Sequence, residues 1–576
     1  MRAAFVDIRQ RLPHSSLALL SPLAEGADRL GARIAIELGI DVVVPLPLPL
    51  ALYEQDFESA ESRAEFNALL DRARARIDLP LLPRTTATDV SRPGPARDQE
   101  YAKVGAYIAS QSQILFALWD GLTGPDTDKI GGTGQVVRFK LEGIPPPYEP
   151  ARGPLSVTTS VGPVRWIVTP RRSHTSPLPH ALEQRVLLPA GRTGESFDRL
   201  CERMELFNRD AARFHAKLER GAQDSKAQLL LTEERGAPVP LAGLPAACAR
   251  ILDQYAVADG LALHFGKKTL DATRRMFIGV VVAAFFFNMH TNFFAVEDGV
   301  GSIFGWAHVP PWFLLVFLGC STVTAAWIHG RAKRGEYQNK YQDYRALAEA
   351  LRIQFLWRVA GIQTSVIDTY LRKQRSELEW IRGALRSWAV LTMVEDAKES
   401  ATPAVDPSHA RALVVHWIQG QRRYFASKVT REQQTLAKET RLINRLLKFS
   451  GVLSVAVVLV YSVPFLSPLA LAAAMHRVAP SSYQNSSLNV AIPMLAVIAG
   501  VMHAYGQQLA RAEHIRQFGR MADLFEAAGR ELERLLQADD QAGITNLVRD
   551  LGIEALEENG EWLTLHRERP LEVPAG

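Results

Sequence analysis

Four stretches without a single Asp, Glu, Lys or Arg dominate this 576-residue sequence: Met276–Val296, Gly299–Gly330, Phe449–His476 and Val478–Ala510. A helix needs about 20 predominantly apolar residues to cross about 30 Å of hydrocarbon, and each stretch can supply one. Their most apolar cores are Phe277–Phe294, Pro311–Ile328, Val452–Leu471 and Val490–Tyr505. Elsewhere the longest uncharged run, Val104–Trp119, is broken by Ser110, Gln111, Ser112 and Gln113. Buried helices of soluble cores usually carry apolar segments of about 10–14 residues. Four transmembrane helices in two hairpins are therefore expected.

Charge orients them. Lys267, Lys268, Arg274 and Arg275 precede the first stretch, and Arg331, Lys333 and Arg334 follow the second. Arg441, Arg445 and Lys448 precede the third, and Arg511 and Arg516 follow the fourth. Within the first hairpin there are only Glu297 and Asp298, and within the second only Arg477. The positive-inside rule then places the N-terminal part, the middle and the tail in the cytoplasm of a multi-pass inner (plasma) membrane protein. Trp306, Trp312 and Trp327 suit interfacial anchoring. Met1–Pro13 carries Asp7 and three arginines instead of an apolar core, so no signal peptide is expected there.

Composition excludes several classes. With 47% hydrophobic and 22% charged residues, the chain has ordinary globular averages. Cys201, Cys248 and Cys320 make neither a disulfide framework nor a zinc site. No histidine pair has metal-binding spacing, so no metal is expected. No GxxxxGK[ST] loop is present, which argues against a P-loop ATPase. The net charge of +5 is absorbed by the clusters flanking the spans, so no nucleic-acid partner is expected.

Residues 1–190 read as an α/β domain with a parallel sheet. Strands at Leu17–Leu20, Asp41–Leu46, Ile114–Trp119 and Arg165–Thr169 alternate with helices at Arg29–Leu38 and Gln135–Leu141. Two strands run into tight turns, Ser21–Asp28 and Gly131-Gly132-Thr133-Gly134, each opening a helix. Glycines let a backbone approach a phosphate closely, and the N–H groups of a helix start point toward it. Two such turns at the carboxyl ends of neighbouring strands would make a nucleotide-type crevice. Asp56 and Asp120 would bind ribose hydroxyls or cap turns; Arg171 and Arg172 would meet a ligand phosphate or form a solvated turn.

The segments Leu20-Ser21-Pro22-Leu23-Ala24-Glu25-Gly26-Ala27-Asp28-Arg29-Leu30, Val44-Pro45-Leu46-Pro47, Tyr53-Glu54-Gln55-Asp56-Phe57, Ala117-Leu118-Trp119-Asp120-Gly121 and Gly131-Gly132-Thr133 resemble the SLOG superfamily. That superfamily comprises Rossmann-like domains related to the LOG phosphoribohydrolases and DNA-processing protein A. The resemblance spans about residues 1–175 and implies recognition of a nucleotide or NAD-derived ligand. Candidate binding residues are Ser21, Glu25, Gly26, Asp28, Arg29, Asp56, Asp120, Gly131, Gly132, Thr133, Gly134 and Arg171. Two departures matter. A helix over Met1–Arg11 stands where the family opens on a strand and a glycine turn, and no carboxylate follows Gly131-Gly132-Thr133 before Glu142. LOG enzymes carry their catalytic Glu there, and glycosidic cleavage needs such an acid or base. Binding is expected rather than hydrolysis, with no catalytic residue assigned and no resident cofactor.

The remaining chain divides into a helical linker (191–275), a first hairpin (276–330), a cytoplasmic helical region (331–448), a second hairpin (449–510) and a C-terminal helix and tail (511–576). Tyr337, Tyr341, Tyr344, Ala348, Leu351 and Phe355 repeat at heptad-like spacing, as do Ile515, Phe518, Ala522, Phe525, Gly529, Leu532 and Leu536. These seams would tie the hairpins into a bundle or form a subunit interface. Tyr344–Arg352, Glu379-Trp380-Ile381-Arg382 and Trp417-Ile418-Gln419-Gly420-Gln421 resemble SLATT-like effector regions. That resemblance implies a pore-forming or membrane-perturbing output in prokaryotic anti-phage defence. Asn288, His290 and Asn292 would line a pore or sit among lipid headgroups. The expected protein is a homo-oligomeric membrane effector gated by a nucleotide-type ligand; the alternative is a membrane-anchored nucleosidase or NAD hydrolase.

Overall fold

The computed structural model describes residues 1–121, 129–148, 161–170, 180–230, 244–293, 311–370, 378–398, 405–462 and 487–569. In chain order the elements are α1 (Arg2–Arg11), β1 (Ala18–Leu20), α2 (Ala27–Glu37), β2 (Asp41–Leu46), α3 (Leu50–Tyr53), α4 (Ala60–Asp71), β3 (Ala75–Asp78), α5 (Pro95–Gln111), β4 (Leu115–Trp119), α6 (Thr133–Glu142), β5 (Val164–Val168) and β6 (Gln184–Leu187). Helices follow: α7 (Gly194–Leu230), α8 (Ala246–Phe293), α9 (Pro311–Arg334), α10 (Tyr337–Val359), α11 (Glu379–Lys398), α12 (Pro407–Ser462), α13 (Ser487–Gln508), α14 (Arg511–Gln537) and α15 (Gln541–Arg567). Two compact units result. One comprises Met1–Leu230, Pro238–Val257 and Ala350–Ala410; the other comprises Leu231–Ala237, Ala258–Glu349 and Arg411–Gly576.

The first unit is α/β. β1, β2 and β3 form a parallel sheet in that order, with Leu20 opposite Val43 and Val43 opposite Ala75. β4 pairs with β5 in parallel, and β6 closes that second sheet antiparallel to β5. β2 reads Asp-Val-Val-Val-Pro-Leu and is buried from Val42 to Leu46, as a strand covered on both faces must be. Val43 and Ile77 pack with Val394 of α11, while Val42, Val44 and Leu46 join Ala32 and Ala35 of α2 in the main core. β3 and β6 add to the four strands expected from the sequence. Both are edge strands with charged residues at alternate positions, so neither carries a strong apolar signal.

The second unit is helical. Three helical stretches are long and apolar enough to cross a membrane: Leu314–Val359, Pro407–Leu459 and Leu488–Gln537. The count corrects the expected four. The first expected span is the end of the 48-residue α8, where the uninterrupted apolar run is only Met276–Phe287. At about 1.5 Å per residue that run is near 18 Å, well short of the hydrocarbon thickness. Asn288, His290, Thr291 and Asn292 end it. The outer ends of both hairpins lie outside the described residues.

Within this unit Phe286 meets Phe317 at 4.9 Å and Phe277 meets Tyr505 edge-on at 5.3 Å. The Ser450 hydroxyl donates to the Ile492 carbonyl at 3.1 Å, joining α12 to α13. On α12, Val452, Val455 and Leu459 remain 68, 59 and 60% exposed, a continuous apolar stripe. Of the second heptad-like seam, Phe525, Gly529 and Leu532 are buried.

Candidate functional site

β1 and β4 are edge strands of their respective sheets and are not hydrogen-bonded to one another. Between them runs a cavity of about 620 Å³, lined along its length by Leu17–Leu20 and Ile114–Leu118. Phe5 of α1 and Phe116 of β4 meet edge-to-face at 4.9 Å beside it. Trp380 and Trp388 of α11 and Phe207 of α7 line it as well. Its volume falls within the range of small-molecule sites, about 300–1,000 Å³.

Where the strands end, the cavity takes in both turns. Ser21, Pro22, Ala24 and Asp28 come from the first, and Gly131 and Thr133 from the second. The structure thus brings Ser21, Asp28, Gly131 and Thr133 together. Glu25, Gly26, Arg29, Asp56, Asp120, Gly132 and Gly134 are not among the residues lining the cavity. Arg171 lies outside the described residues.

The first turn is held from within. Ser21 is buried; its hydroxyl donates to the Asp28 carbonyl at 3.2 Å and accepts from the Leu23 N–H at 3.3 Å. Leu23, fully buried, takes a left-handed φ of 58° that a side chain normally avoids. Arg29 secures it, with Nε donating to the Leu23 carbonyl at 3.1 Å. The same guanidinium, 3% exposed, donates to the Ser62 carbonyl and to Glu65, each at 3.0 Å, and covers the Phe57 ring at 4.5 Å. Arg29 is thus engaged in clamping α2 to α4. Glu25 is exposed and accepts from the Ser62 hydroxyl. Gly26 opens α2 at φ 94°, and no side chain caps that helix start.

Asp28, in the first turn of α2, is half-buried by area yet densely surrounded, and it faces the cavity. Desolvation pushes its carboxyl up to about 6, against the pull of the hydrogen bond from the Ala24 backbone. Tyr53 lies alongside; its hydroxyl donates to the Pro22 carbonyl at 3.1 Å, and burial followed by the Asp28 charge raises its pKa. Tyr53 and Tyr101 both line the cavity and were not among the expected site residues. Tyr53 had a signal, since it stands beside Asp56 in one of the quoted segments. Tyr101 sits mid-helix in α5 and had none.

The second turn is packed against α5. At Gly131, with φ 78°, a Cβ would lie 2.7 Å from the Tyr101 Cβ and 3.2 Å from the Asp98 carbonyl oxygen. Its N–H donates to the Gln135 side chain at 2.7 Å. This glycine therefore serves close helix contact, and its N–H is taken by the protein. Gly132 is the N-cap of α6, again without a side-chain cap, leaving Thr133 and Gly134 as the first helical residues. Asp56 accepts from Arg97 Nη2 at 2.6 Å and from the Tyr101 hydroxyl. Burial raises its pKa and Arg97 opposes the rise. Arg97 also donates to the Leu52 carbonyl at 2.8 Å, so Asp56 braces α3 against α5. Asp120 is 7% exposed at the end of β4.

In the helical unit, Asn288 is buried and its amide donates to the Val490 carbonyl of α13 at 3.5 Å. His290 is half-buried. Asn292 lies in the last turn of α8. No cluster of metal ligands occurs among the described residues.

Fold and cavity together define an α/β unit with parallel strands and an inter-sheet crevice, joined in one chain to a helical unit with three membrane-length helices. No family model, curated protein or solved structure matches the chain.

Proposed function

We propose that this chain is a ligand-responsive membrane effector, in which the α/β unit binds a small nucleotide-type anion and the helical unit acts on the bilayer. One observation carries the reading: the helix starts that follow β1 and β4, both without side-chain caps, open on the same cavity. Uncapped helix starts offer N–H donors and a partial positive charge to an anion. A strand order of 3-2-1 beside 4-5-6 is that of a doubly wound Rossmann-like domain, whose ligand crevice falls between strands 1 and 4. The SLOG and SLATT resemblances supply the ligand class and the output. The basic clusters flanking the spans favour a cytoplasmic α/β unit in the plasma membrane, and so few spans favour a homo-oligomeric pore.

The full chain in lipid nanodiscs is tested for binding of NAD, ADP-ribose and AMP by equilibrium dialysis. Thr133→Glu adds a negative charge to the first turn of α6, where it suits the helix but repels an anion. Affinity falls at least about tenfold in the variant. Dye release from liposomes should rise with whichever of the three compounds binds. Binding of none of them, or affinity indifferent to Thr133→Glu, overturns the reading.

A second reading, glycosidic hydrolysis, is favoured by Asp28 alone: a carboxyl raised to about 6 inside the crevice suits an acid catalyst. Turnover of NAD that disappears in Asp28→Asn would establish it over pure sensing.

A further inference from the structure

A second cavity, of about 590 Å³, lies in the α/β unit at the opposite end of the strands, where Ile114 leads into β4 and Pro163 into β5. Ile8, Leu12, Val186, Phe197 and Met204 give it an apolar wall. Six cations are set into that wall: Arg11, Lys140, Arg165, Arg192, Arg382 and Arg386. Four carboxylates answer them among the described residues. Asp198 accepts from Arg11 at 2.5 Å, Asp7 from Arg165 at 3.1 Å, and Glu379 takes both Arg192 nitrogens at 2.7 and 3.1 Å. Glu202 is exposed at the rim. The cluster carries two more positive charges than negative ones.

The excess gathers on one side. Arg382 and Arg386 stand one turn apart on α11, a spacing at which like charges oppose each other. Lys140 is 1% exposed and donates to the carbonyls of Ala109, at 2.9 Å, and Ser112, at the end of α5. Gly162 makes room for it, since a Cβ there would come within 2.6 Å of the Lys140 Cε. Burial, and then the charge of Arg386, draws the Lys140 ammonium down to about 7. Concentrated positive charge in a part-desolvated cavity is costly by itself, and an entering anion relieves the cost.

We propose that this cavity binds a small amphiphilic anion, a flat or short apolar body bearing one carboxylate or phosphate. The head meets Arg382, Arg386 and Lys140, and the body lies on Ile8, Leu12 and Phe197. The site is separate from the crevice between β1 and β4 and stands whether or not a nucleotide binds there.

The test is protection of arginines from phenylglyoxal in the full chain in nanodiscs, read by peptide mass spectrometry. The probes are 2-naphthyl phosphate, 2-naphthoate, inorganic phosphate and 2-naphthol. The two naphthyl anions slow modification of Arg382 and Arg386 at least about fivefold, while inorganic phosphate and 2-naphthol, each with half of the recognition, slow it less than about twofold. Arg516, whose side chain is 75% exposed, is modified at one rate throughout. Arg386→Lys keeps the protection of Arg382 and Arg386→Gln loses it; the probe comparison in the unaltered chain stands even where a variant fails to fold. Three results overturn the proposal: no protection by the naphthyl anions, equal protection by inorganic phosphate, or arginines that are unreactive before any probe is added.

Discussion

Asp28→Asn tests the physics of the crevice most directly. The Asp28 carboxyl titrates from an ordinary 3.8 when unfolded to about 6 when folded, and each unit is worth about 1.36 kcal/mol. Ionised Asp28 therefore costs the folded state about 3 kcal/mol. The helix dipole at the start of α2 works the other way, but contributes only about 0.3–1 kcal/mol, so desolvation wins. Because the folded state holds the proton more tightly, local stability is greatest below pH 3.8 and falls as pH rises through about 6. Asparagine has no proton to lose, so the variant lacks this slope and is the more stable chain at neutral pH. Hydrogen exchange of peptides covering Ala27–Glu37, corrected for intrinsic rates, measures the local opening. From pH 4 to pH 7 the protection of the unaltered chain relative to the variant should drop about 100-fold, the equivalent of about 3 kcal/mol. Parallel profiles for the two chains would refute the argument that Asp28 is desolvated in the crevice.

Other outcomes follow from the same contacts. Arg29→Ala should lower stability by about 2–4 kcal/mol in denaturant titrations of the full chain, since it strands Glu65 and frees the left-handed Leu23; Arg29→Lys should recover only part, because one ammonium cannot span all the acceptors. Gly131→Ala should cost at least about 1 kcal/mol more than Gly26→Ala: both leave a positive φ, but only at Gly131 does the Cβ meet neighbouring atoms. Equal losses would show that α5 yields easily. Spin labels at Val452, Val455 and Leu459 should be more accessible to oxygen than to a water-soluble nickel chelate, as for a lipid-facing stripe; the reverse order would remove α12 from the membrane.

Local patterns were legible where they repeat. β2 occupies Asp41–Leu46, as its continuous run of β-branched residues dictates, and α6 begins within the glycine turn. The long uncharged stretches around Pro311–Ile328 and Val490–Tyr505 do lie in helices, because hydropathy is a property of the segment itself. The stretch from Phe277 to Phe294 looked equivalent, yet Asn288, His290 and Asn292 cluster at one end of it and shorten its apolar length; there the sum over a window concealed the order within it.

What the sequence by itself determined is the list of segments and the two turn-then-helix junctions, since backbone freedom at glycine and apolar periodicity are local quantities. Tertiary structure decided which side chains are available to a ligand. Arg29, Asp56 and Glu25 read in the sequence as binding groups, but their charges and hydrogen bonds are met by Glu65, Arg97 and Ser62 from elements 30 to 40 residues away. Only packing can make such long-range pairs. It also left β1 and β4 unpaired and opened the cavity between them, which no single segment encodes.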